Sequence, residues 1–277
     1  MNSAQDTNTF NYIELEETTS TNTVLRQMAN EGAANGSPLP SGTVLRADHQ
    51  TAGRGQMGNG WESEAGVNLL ASFLLRPEPS LDVSRQFELS MAVALAVRDM
   101  VAELLPAEVA PELKVKWPND IYVGQEKIAG ILIENTLRGR VIGETIVGVG
   151  LNVGQREFGW APNATSVALL GGRWDIGLKE LSLRLMALLS ERTKWVCGAE
   201  SATGVMTDYW LHLFRADGRA HHFADSECDF FATMVSVAAD GPLTLRMADG
   251  TERVFGFKEV EYVIETSDGG RLTPNLK

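Results

Sequence analysis

The sequence predicts an α+β fold in which helices surround a mixed central sheet and a small β-barrel forms the C-terminal end. Two observations carry this prediction. As far as Ala216, segments with apolar residues at helical spacing alternate with short strand-like runs. After Gly218 only short strand-like runs remain, separated by the turn sequences Asp240-Gly241-Pro242 and Asp249-Gly250. We therefore place a domain boundary between Ala216 and Arg219 and expect two units, residues 1–217 and 218–277.

The N-terminal unit is predicted to begin with a strand after about ten residues, followed by a helix and two further strands. Residues 19–22 offer N-cap side chains to a helix whose apolar residues keep helical spacing from Val24 onward, and Gly32 is expected to end it. Thr43–Asp48 and Val67–Leu75 have the composition of strands, and the second is an apolar run without helical spacing.

A long helix and four strands follow. We expect the helix from Ser84 to Leu105, because its apolar residues keep helical spacing until Pro106 stops it. Consecutive strands with short Gly or Pro turns favour a largely antiparallel or mixed sheet; they are expected at Lys114–Trp117, Asp120–Val123, Lys127–Glu134 and Val141–Val149. Helices are then predicted from Leu178 to Leu189 and from Val205 to Leu213, and C-terminal strands at Cys228–Val237, Leu243–Met247, Arg253–Phe255 and Val260–Ile264.

The composition is that of a soluble globular protein, since 44% of the 277 residues are hydrophobic and 22% are charged. No apolar run approaches the roughly 18 residues that span a bilayer, and no signal-peptide pattern is present, so we expect a cytoplasmic protein without a membrane partner.

The net charge of −12 argues against nucleic acid as a partner. Cys197 and Cys228 form no CxxC pair, which favours free thiols, and the histidine spacing fits no common zinc pattern.

The segment Thr51–Trp61 is the first candidate functional feature. It places four glycines and Arg54 between two predicted strands. Gly53, Gly55 and Gly58 satisfy G-x-G-x-x-G, but a dinucleotide site requires that the loop opens a helix, and none is predicted there. Glycines let backbone N–H groups approach a ligand closely, and Arg54 adds a planar cationic donor suited to phosphate or carboxylate. We interpret the segment as an anion-binding loop, with a flexible surface turn as the alternative.

A second signature consists of Lys116-Trp-Pro-Asn-Asp120 followed by Lys127-Ile-Ala-Gly-Ile-Leu-Ile-Glu134. Other matching segments are Ser20-Thr-Asn22, Gln50, Gly53-Arg-Gly55 and Gly148-Val-Gly-Leu-Asn152. With these motifs in this order, the sequence resembles the biotin protein ligases, also called biotin acetyl-CoA-carboxylase ligases, over almost its whole length apart from the two tails. The resemblance implies a catalytic domain similar to the class II synthetase fold and a C-terminal barrel that is SH3-like.

The resemblance also implies an enzyme that activates biotin with MgATP to biotinyl-5'-adenylate and transfers biotin to one lysine of a biotin carboxyl carrier protein. Adenylation brings a carboxylate against a phosphate, so cations and N–H donors are required. Lys127 would lie between the carboxylate of biotin and the α-phosphate, and Arg54 would hold phosphate. Asp120 would orient the carrier lysine or accept its proton. Without the motifs, Lys127 and Asp120 are also consistent with solvated turn residues.

The residues carried over from the family fall into a biotin set and an adenylate set. For biotin, Ser20, Thr21, Asn22 and Gln50 would meet the ureido and ring region, Gly53, Arg54, Gly55 and Gln56 would line the loop side, and Lys127, Gly130 and Leu132 would form the opposite wall. The adenylate would contact Arg54, Trp61, Asn119, Lys127 and Asn152. No protein ligand for a metal is predicted, and magnesium would arrive with ATP. The alternatives are a helix cap for Ser20 and Thr21, core positions for Leu132 and Trp61, and a turn for Asn152.

The glycine loop departs from the pattern of many relatives, which is close to Gly-Arg-Gly-Arg-Arg-Gly-Arg. Gln56, Met57 and Asn59 occupy the later arginine positions here. We hypothesise either that the Gln56 amide compensates through hydrogen bonds or that the adenylate leaks faster. Because only about ten residues precede the first predicted strand, we expect a ligase without the DNA-binding domain and repressor function of some relatives. A homodimer remains open.

Three alternative functions stay open at this point. A lipoate-type ligase shares the chemistry, although the Gly-Arg-Gly loop and Lys116-Trp-Pro-Asn-Asp120 favour biotin. A non-catalytic biotin or nucleotide sensor would have lost Lys127 or Arg54, and both are present. A carrier-binding scaffold dominated by the barrel would bind the acceptor through residues 219–277 alone.

Overall fold

Eight strands form one mixed sheet in the computed structural model, which describes residues 10–159, 161, 163–197, 202–265 and 271–272. The strands are β1 (Asn11–Thr18), β2 (Thr43–Gln50), β3 (Leu69–Leu75), β4 (Leu81–Asp82), β5 (Leu113–Lys116), β6 (Asp120–Val123), β7 (Glu126–Arg138) and β8 (Val141–Leu151). Their order is β1-β2-β3-β8-β7-β6-β5, and β4 also pairs with β8. The β1–β2 pair is parallel and the other pairs are antiparallel, so the predicted mixed sheet is confirmed.

The helices are α1 (Thr21–Ala34), α2 (Gln86–Ala102), α3 (Leu178–Cys197) and α4 (Ala202–Leu211). They pack on both sides of the sheet, which makes this an α+β fold, as predicted. No helix in the described ranges is long and apolar enough to cross a membrane.

Alternation along β3 gives the sheet two different faces. Ala71 and Phe73 belong to the main buried cluster, which α2 and α3 cover. Leu74 points the other way and packs in a smaller cluster with Leu25 of α1 and Ile146 of β8. The face that carries α1 is therefore only partly filled by apolar side chains, and the rest of it is left to glycines and polar residues of β7 and β8.

The end of α1 differs from the prediction. Gly32 lies inside the helix, which continues to Ala34. The chain leaves the helix through Gly36, whose φ of +71° lies in the left-handed region that glycine favours. Gly32 is needed for a different reason, because a Cβ atom there would lie 2.7 Å from the backbone oxygen of Ser37.

The helix predicted from Ser84 to Leu105 is shorter at both ends. A 3-10 turn over Val83–Arg85 precedes α2, and Asp82 caps it by accepting a 2.9 Å hydrogen bond from the Ser84 N–H. The α-helix ends at Ala102, four residues before Pro106.

The C-terminal strands form a separate antiparallel sheet with the order β12-β11-β10-β9-β13. The strands are β9 (Ala220–Ala224), β10 (Asp229–Val237), β11 (Leu243–Met247), β12 (Glu252–Phe255) and β13 (Glu261–Tyr262), and β14 (Ile264–Glu265) pairs with β15 (Arg271–Leu272). Among the described residues the five-stranded pairing is an open path, so closure into a barrel stays a prediction. The sequence did not predict β9, because His221 and His222 interrupt the apolar pattern of a strand only five residues long.

The C-terminal sheet and its turns pack against the segment between β5 and β6. The Trp117 indole N–H donates a 2.9 Å hydrogen bond to the carbonyl oxygen of Gly241, and the ring centroids of Trp117 and Phe257 are 5.2 Å apart. Phe223 and Tyr262 belong to the same buried cluster as α2 and α3. The boundary predicted near Ala216 to Arg219 thus coincides with a change from helices to strands but not with a break in the core.

Candidate active site

A cleft on the α1 side of the main sheet collects most of the predicted site residues. It encloses about 740 Å³ when the solvent in its open mouth is counted. The start of α1, part of the glycine loop, and the facing sides of β7 and β8 line it, together with Lys258 from the C-terminal sheet. The predicted residues that line it are Ser20, Thr21, Asn22, Gln50, Arg54, Gly55, Gln56, Trp61, Asp120, Lys127, Gly130 and Leu132.

Two opposed glycines form the floor of the cleft. Gly130 of β7 pairs with Gly150 of β8, and the Trp61 indole lies on both of them. A Cβ atom on Gly150 would lie 2.3 Å from Trp61 Cε2, and one on Gly130 would lie 2.8 Å from Trp61 Cζ3. Since real Cβ atoms do not approach other atoms so closely, both positions require glycine as long as the indole stays in place.

One end of the cleft is polar and buried. Ser20, Thr21 and Asn22 are each less than 5% exposed. The Ser72 hydroxyl of β3 lies 2.6 Å from Asn22 Oδ1 and 2.7 Å from Thr21 Oγ1. The Gln50 side-chain oxygen accepts hydrogen bonds from the Thr21 N–H at 2.7 Å and from the Thr21 hydroxyl at 3.1 Å. These contacts fix hydrogen-bonding groups at the point where a ligand ring would end.

The structure argues against a side-chain capping role for Ser20, and its contact with a ligand stays a prediction. By its backbone conformation Ser20 is the N-cap residue of α1, but its hydroxyl makes no capping hydrogen bond. Its side chain lines the cleft instead.

The glycine loop joins β2 to β3 and folds back on itself. The Gly55 N–H donates to the Asn59 carbonyl at 2.6 Å, and the Trp61 N–H donates to the Gly53 carbonyl at 3.0 Å. A Cβ atom on Gly53 would lie 2.2 Å from the Trp61 carbonyl oxygen, and Gly58 has a φ of +88°. Gly53 and Gly58 therefore shape a tight loop, which presents Arg54 and Trp61 to the cleft.

Arg54 is held across the cleft by Glu134 of β7. The guanidinium donates to Glu134 Oε1 at 3.1 Å and to the Thr23 hydroxyl at 3.3 Å. Glu134 also accepts a 2.9 Å hydrogen bond from Asn22 Nδ2. Burial alone would raise the pKa of Glu134, but the hydrogen bond from Asn22 and the charges of Arg26 and Arg54 outweigh burial, so this pKa lies below its usual value.

Lys127 and Asp120 form an ion pair at the other end of the cleft. Lys127 Nζ lies 2.7 Å from Asp120 Oδ2, and both side chains are 29% exposed. The ammonium also lies 5.8 Å from the centroid of the Trp61 ring, within cation–π range. The Lys127 backbone is fixed by hydrogen bonds with Asn163 and Thr165, so the side chain starts from a rigid strand. An ammonium so placed can stabilise negative charge that enters between it and Arg54.

Two buried donors of the site have no hydrogen-bond partner in the described part of the chain. They are Trp61 Nε1 and Asn119 Nδ2. Asn119 is 1% exposed, and its Oδ1 accepts a 3.0 Å hydrogen bond from Gln56 Nε2. Buried donors without a partner are costly, so these two groups are suited to pair with acceptor atoms of a ligand.

Three predicted residues lie behind the cleft rather than on its surface. Gly53 closes the loop, and Asn119 supports Gln56, as described above. Asn152 is 4% exposed and donates a 2.9 Å hydrogen bond to the Thr165 carbonyl, so it anchors the segment that follows β8. Contact between Asn152 and a nucleotide stays a prediction.

The sequence did not identify several residues that complete the site. The strand pattern could have indicated Glu134, because it lies on the same strand face as Gly130 and Leu132 at a spacing of two residues. The composition of β3 could have indicated Ser72, because Ser72 is the polar residue of an otherwise apolar strand. Gly148 lies opposite Leu132 in the β7–β8 register. Lys258 had no local signal that could point to the cleft.

Lys116, the first residue of the second signature, is not among the residues that line the cleft, although the β5–β6 register places it opposite Asp120. Its ammonium lies 5.3 Å from the Tyr122 ring centroid and 5.1 Å from that of Tyr262. Burial lowers the pKa of Lys116, and the negative charge of Asp120 partly opposes this shift. The second signature therefore has two roles: Lys116 and Trp117 contact residues of the C-terminal sheet, and Asp120 lines the cleft.

Comparisons with known proteins agree with this geometry. The profile of the Biotin/lipoate A/B protein ligase family matches residues 14–152. The biotin acetyl-CoA-carboxylase ligase of Mycobacterium tuberculosis is 41% identical over 139 residues, which are 50% of this chain and 49% of that protein. The bifunctional ligase/repressor BirA of Bacillus spizizenii is 36% identical over 138 residues, 50% of this chain and 39% of that protein. The chain thus matches half or less of the length of these curated relatives.

A solved structure matches over a longer span. The biotin protein ligase from Aquifex aeolicus in complex with biotin and ATP superposes with a TM-score of 0.69 at 26% sequence identity. The superposition covers 90% of this chain and 97% of that one. It therefore includes both the main sheet and most of the C-terminal strands.

Proposed function

This chain belongs to the Biotin/lipoate A/B protein ligase family, and from that premise we propose that it joins biotin to a lysine of a carrier protein at the expense of ATP. The observation that carries the proposal is the arrangement of the cleft. A buried polar end, a glycine floor and two cations, Arg54 and Lys127, lie around one space. These are the groups needed to hold a small polar ring, an aliphatic tail and a reacting carboxylate in line.

The first step is the formation of biotinyl-5'-adenylate. A carboxylate oxygen of biotin attacks the α-phosphorus of ATP, and pyrophosphate leaves with the electron pair of the broken P–O bond. Lys127, at the end of the glycine floor, is placed to hold the carboxylate and an α-phosphate oxygen together. Arg54 supplies a second cation after it exchanges Glu134 for phosphate. Each charge-assisted hydrogen bond of this kind contributes about 1.5–3 kcal/mol.

The second step is the transfer of biotin to the carrier. The neutral amine of a carrier lysine attacks the acyl carbon of the adenylate, and AMP leaves. Asp120 is placed to orient the incoming amine and to accept its proton, since it already holds the ammonium of Lys127 at 2.7 Å. The expected partner is a biotin carboxyl carrier protein, and magnesium is expected as the counter-ion of ATP.

The polar end of the cleft favours biotin over lipoate. The ureido ring of biotin offers two N–H donors and one carbonyl acceptor, which match the hydroxyls and amides of Ser20, Thr21, Asn22 and Gln50. The dithiolane ring of lipoate offers neither a strong donor nor a strong acceptor. Lipoate would therefore gain no strong hydrogen bond at this end of the cleft, whereas each one that biotin gains contributes about 0.5–1.5 kcal/mol.

The C-terminal strands complete the proposal. We take residues 1–217 as the catalytic unit and residues 218–277 as an SH3-like unit, whose closed form the resemblance implies. The ends of both units, residues 1–9 and 273–277, lie outside the described residues.

Pyrophosphate release with ATP, magnesium and biotin tests the proposal directly. We expect release that depends on biotin, little release with lipoate, and loss of release in Lys127→Ala. Lys114→Ala is the matched control, because Lys114 is a half-buried strand lysine outside the cleft whose ammonium donates a hydrogen bond to the Leu211 carbonyl at 3.4 Å. Addition of a purified biotin carboxyl carrier domain should then place biotin on one lysine, which mass spectrometry identifies.

Each other result has a defined meaning. Release with lipoate alone would move the substrate to the lipoate class. Tight biotin binding without release in the wild-type protein would indicate a sensor and refute the ligase function.

A further inference from the structure

Lys258 is the one residue of the C-terminal sheet among those that line the cleft. It lies in the turn between β12 and β13, far along the chain from the other lining residues. The C-terminal part of the chain therefore contributes a positively charged side chain to a cleft that is otherwise built from the main sheet and its connections.

The backbone of Lys258 is unusual. Its φ is +65°, in the left-handed region that favours glycine, and Arg215 is the other non-glycine residue with positive φ in the described ranges. The turn is nevertheless well held: the Phe257 ring packs at 5.2 Å from Trp117 and 5.8 Å from Phe87, and the Gly256 N–H donates to the Glu259 carboxylate. A lysine in place of the easier glycine, on an anchored turn at the mouth of a cleft, points to a role for its side chain.

The charges of the cleft set Lys258 apart from the other two cations. Arg54 is paired with Glu134 at 3.1 Å, and Lys127 is paired with Asp120 at 2.7 Å. Within the described chain the Lys258 ammonium has no hydrogen bond or ion pair. Burial raises the pKa of Glu261, and the more distant charges of Lys116 and Lys258 only partly oppose this rise. Among the cations that line the cleft, Lys258 is thus the one that no carboxylate of the described chain pairs with, in a protein of net charge −12.

We propose that Lys258 is a nucleotide-positioning residue that binds the phosphate chain of ATP at the mouth of the cleft. This inference rests on the proposed function, because it assigns the phosphates of the same ATP. Lys127 reaches the floor, where the α-phosphate must meet the carboxylate. The glycine loop carries a single cation, so a phosphate chain that extends outward from the floor meets Lys258 next. A flexible ammonium is suited to follow phosphate groups that leave as pyrophosphate. The C-terminal sheet would then contribute directly to nucleotide binding.

Direct binding measurements by calorimetry test this assignment without depending on turnover. The probes are a non-hydrolysable ATP analogue with magnesium, adenosine, and biotin. The variants are Lys258→Met, which removes the charge, Lys258→Arg, which keeps it, and Lys258→Gly, which removes both the charge and the unfavourable backbone conformation. Lys194→Met is the matched control, because Lys194 is an exposed lysine of α3 on the opposite side of the sheet.

We expect Lys258→Met to weaken binding of the ATP analogue about tenfold or more, as loss of a charge-assisted hydrogen bond predicts. Adenosine and biotin binding should not change, and Lys258→Arg should stay near the wild type. Lys258→Gly should lose ATP affinity to the same degree while its melting temperature stays at or above that of the wild type, which separates a ligand role from a folding role.

Three results would overturn the assignment: unchanged affinity for the ATP analogue in Lys258→Met, equal weakening of adenosine, or a defect confined to the KM for the carrier domain. The last of these would assign Lys258 to the carrier surface. The ligase function fails separately, if the wild-type protein binds ATP and biotin but releases no pyrophosphate.

Discussion

Replacing Gly148 by alanine tests the polar end of the cleft with one methyl group. Gly148 lies on β8 opposite Leu132, and a Cβ atom built there lies 2.3 Å from Asn22 Oδ1. This distance is 0.7 Å short of 3.0 Å, below which Cβ contacts essentially never occur. Because β8 is a central strand of the sheet, the side chain of Asn22 has to move rather than the backbone.

The structure gives the size of the effect. A shift of 0.7 Å would stretch the 2.9 Å hydrogen bond from Asn22 to Glu134 to about 3.6 Å, beyond hydrogen-bonding range. It would also move Asn22 from the position in which it meets a ligand ring. Losing the expected hydrogen bond between Asn22 and the ligand ring would leave a buried polar group unpaired in the complex, at a cost of about 1–3 kcal/mol. We therefore expect biotin to bind about 10- to 100-fold more weakly.

Calorimetric titration with biotin in the absence of ATP measures this change. Gly143→Ala is the control: Gly143 is on the same strand, and its Cβ atom would meet only the exposed, flexible side chain of Arg138, at 2.7 Å. Melting temperatures of both variants separate a local effect from general destabilisation. If Gly148→Ala keeps wild-type affinity for biotin, Asn22 does not contact the ligand and our placement of the ring is wrong.

Three further changes test the charges of the site. Glu134→Gln should flatten the loss of unfolding free energy in acid, measured by urea titrations below about pH 5. The pKa of Glu134 is lowered on folding, so its contribution is present above the unfolded value of about 4.3 and is lost as the pH falls through the lower folded value. A loss as steep as in the wild type would contradict this. Gln56→Arg should slow release of the adenylate from the enzyme, measured by filtration after single-turnover activation; equal release rates would remove the role given to the loop charge. Asp120→Asn should slow transfer to the carrier lysine by about 100-fold or more while slowing pyrophosphate release less. Equal slowing of both steps would assign Asp120 to the support of Lys127 alone.

Local patterns in the sequence predicted the elements that depend on local physics. Strand alternation and apolar runs located β6 and β11 with their full bounds, and glycine content identified the loop between β2 and β3. The prediction was wrong where two local signals competed. Gly32 has the composition of a helix end, but its close approach to Ser37 keeps it inside α1, and Gly36 makes the exit.

Contacts between distant parts of the chain were beyond the reach of these patterns. Arg54 and Glu134 are 80 residues apart, and no local signal in either segment indicates that they pair. The hydrogen bond from the Asn152 amide to the Thr165 backbone carbonyl is another contact that the motif did not indicate. Lys258 reaches the cleft only because Phe257 packs on Trp117, a contact between segments that fold into different sheets. Such positions follow from tertiary packing, which the sequence does not display.

The packing of Trp117 against the C-terminal strands has a practical consequence for the design of truncated forms of this protein. A cut between residues 217 and 218 would remove the acceptor of the Trp117 indole N–H at Gly241 and the Phe257 ring beside it, and would expose Lys116 where Tyr262 now covers it. The same five-residue segment ends in Asp120, the partner of Lys127. A truncated N-terminal fragment would thus carry every residue of the proposed chemistry except Lys258 and still lack the support that aligns it. Loss of activity in such a fragment would therefore not show that the C-terminal strands take part in the chemistry, because the Lys116–Asp120 segment would also have lost its packing. Adding the separate C-terminal fragment back and measuring whether activity returns would be the useful comparison.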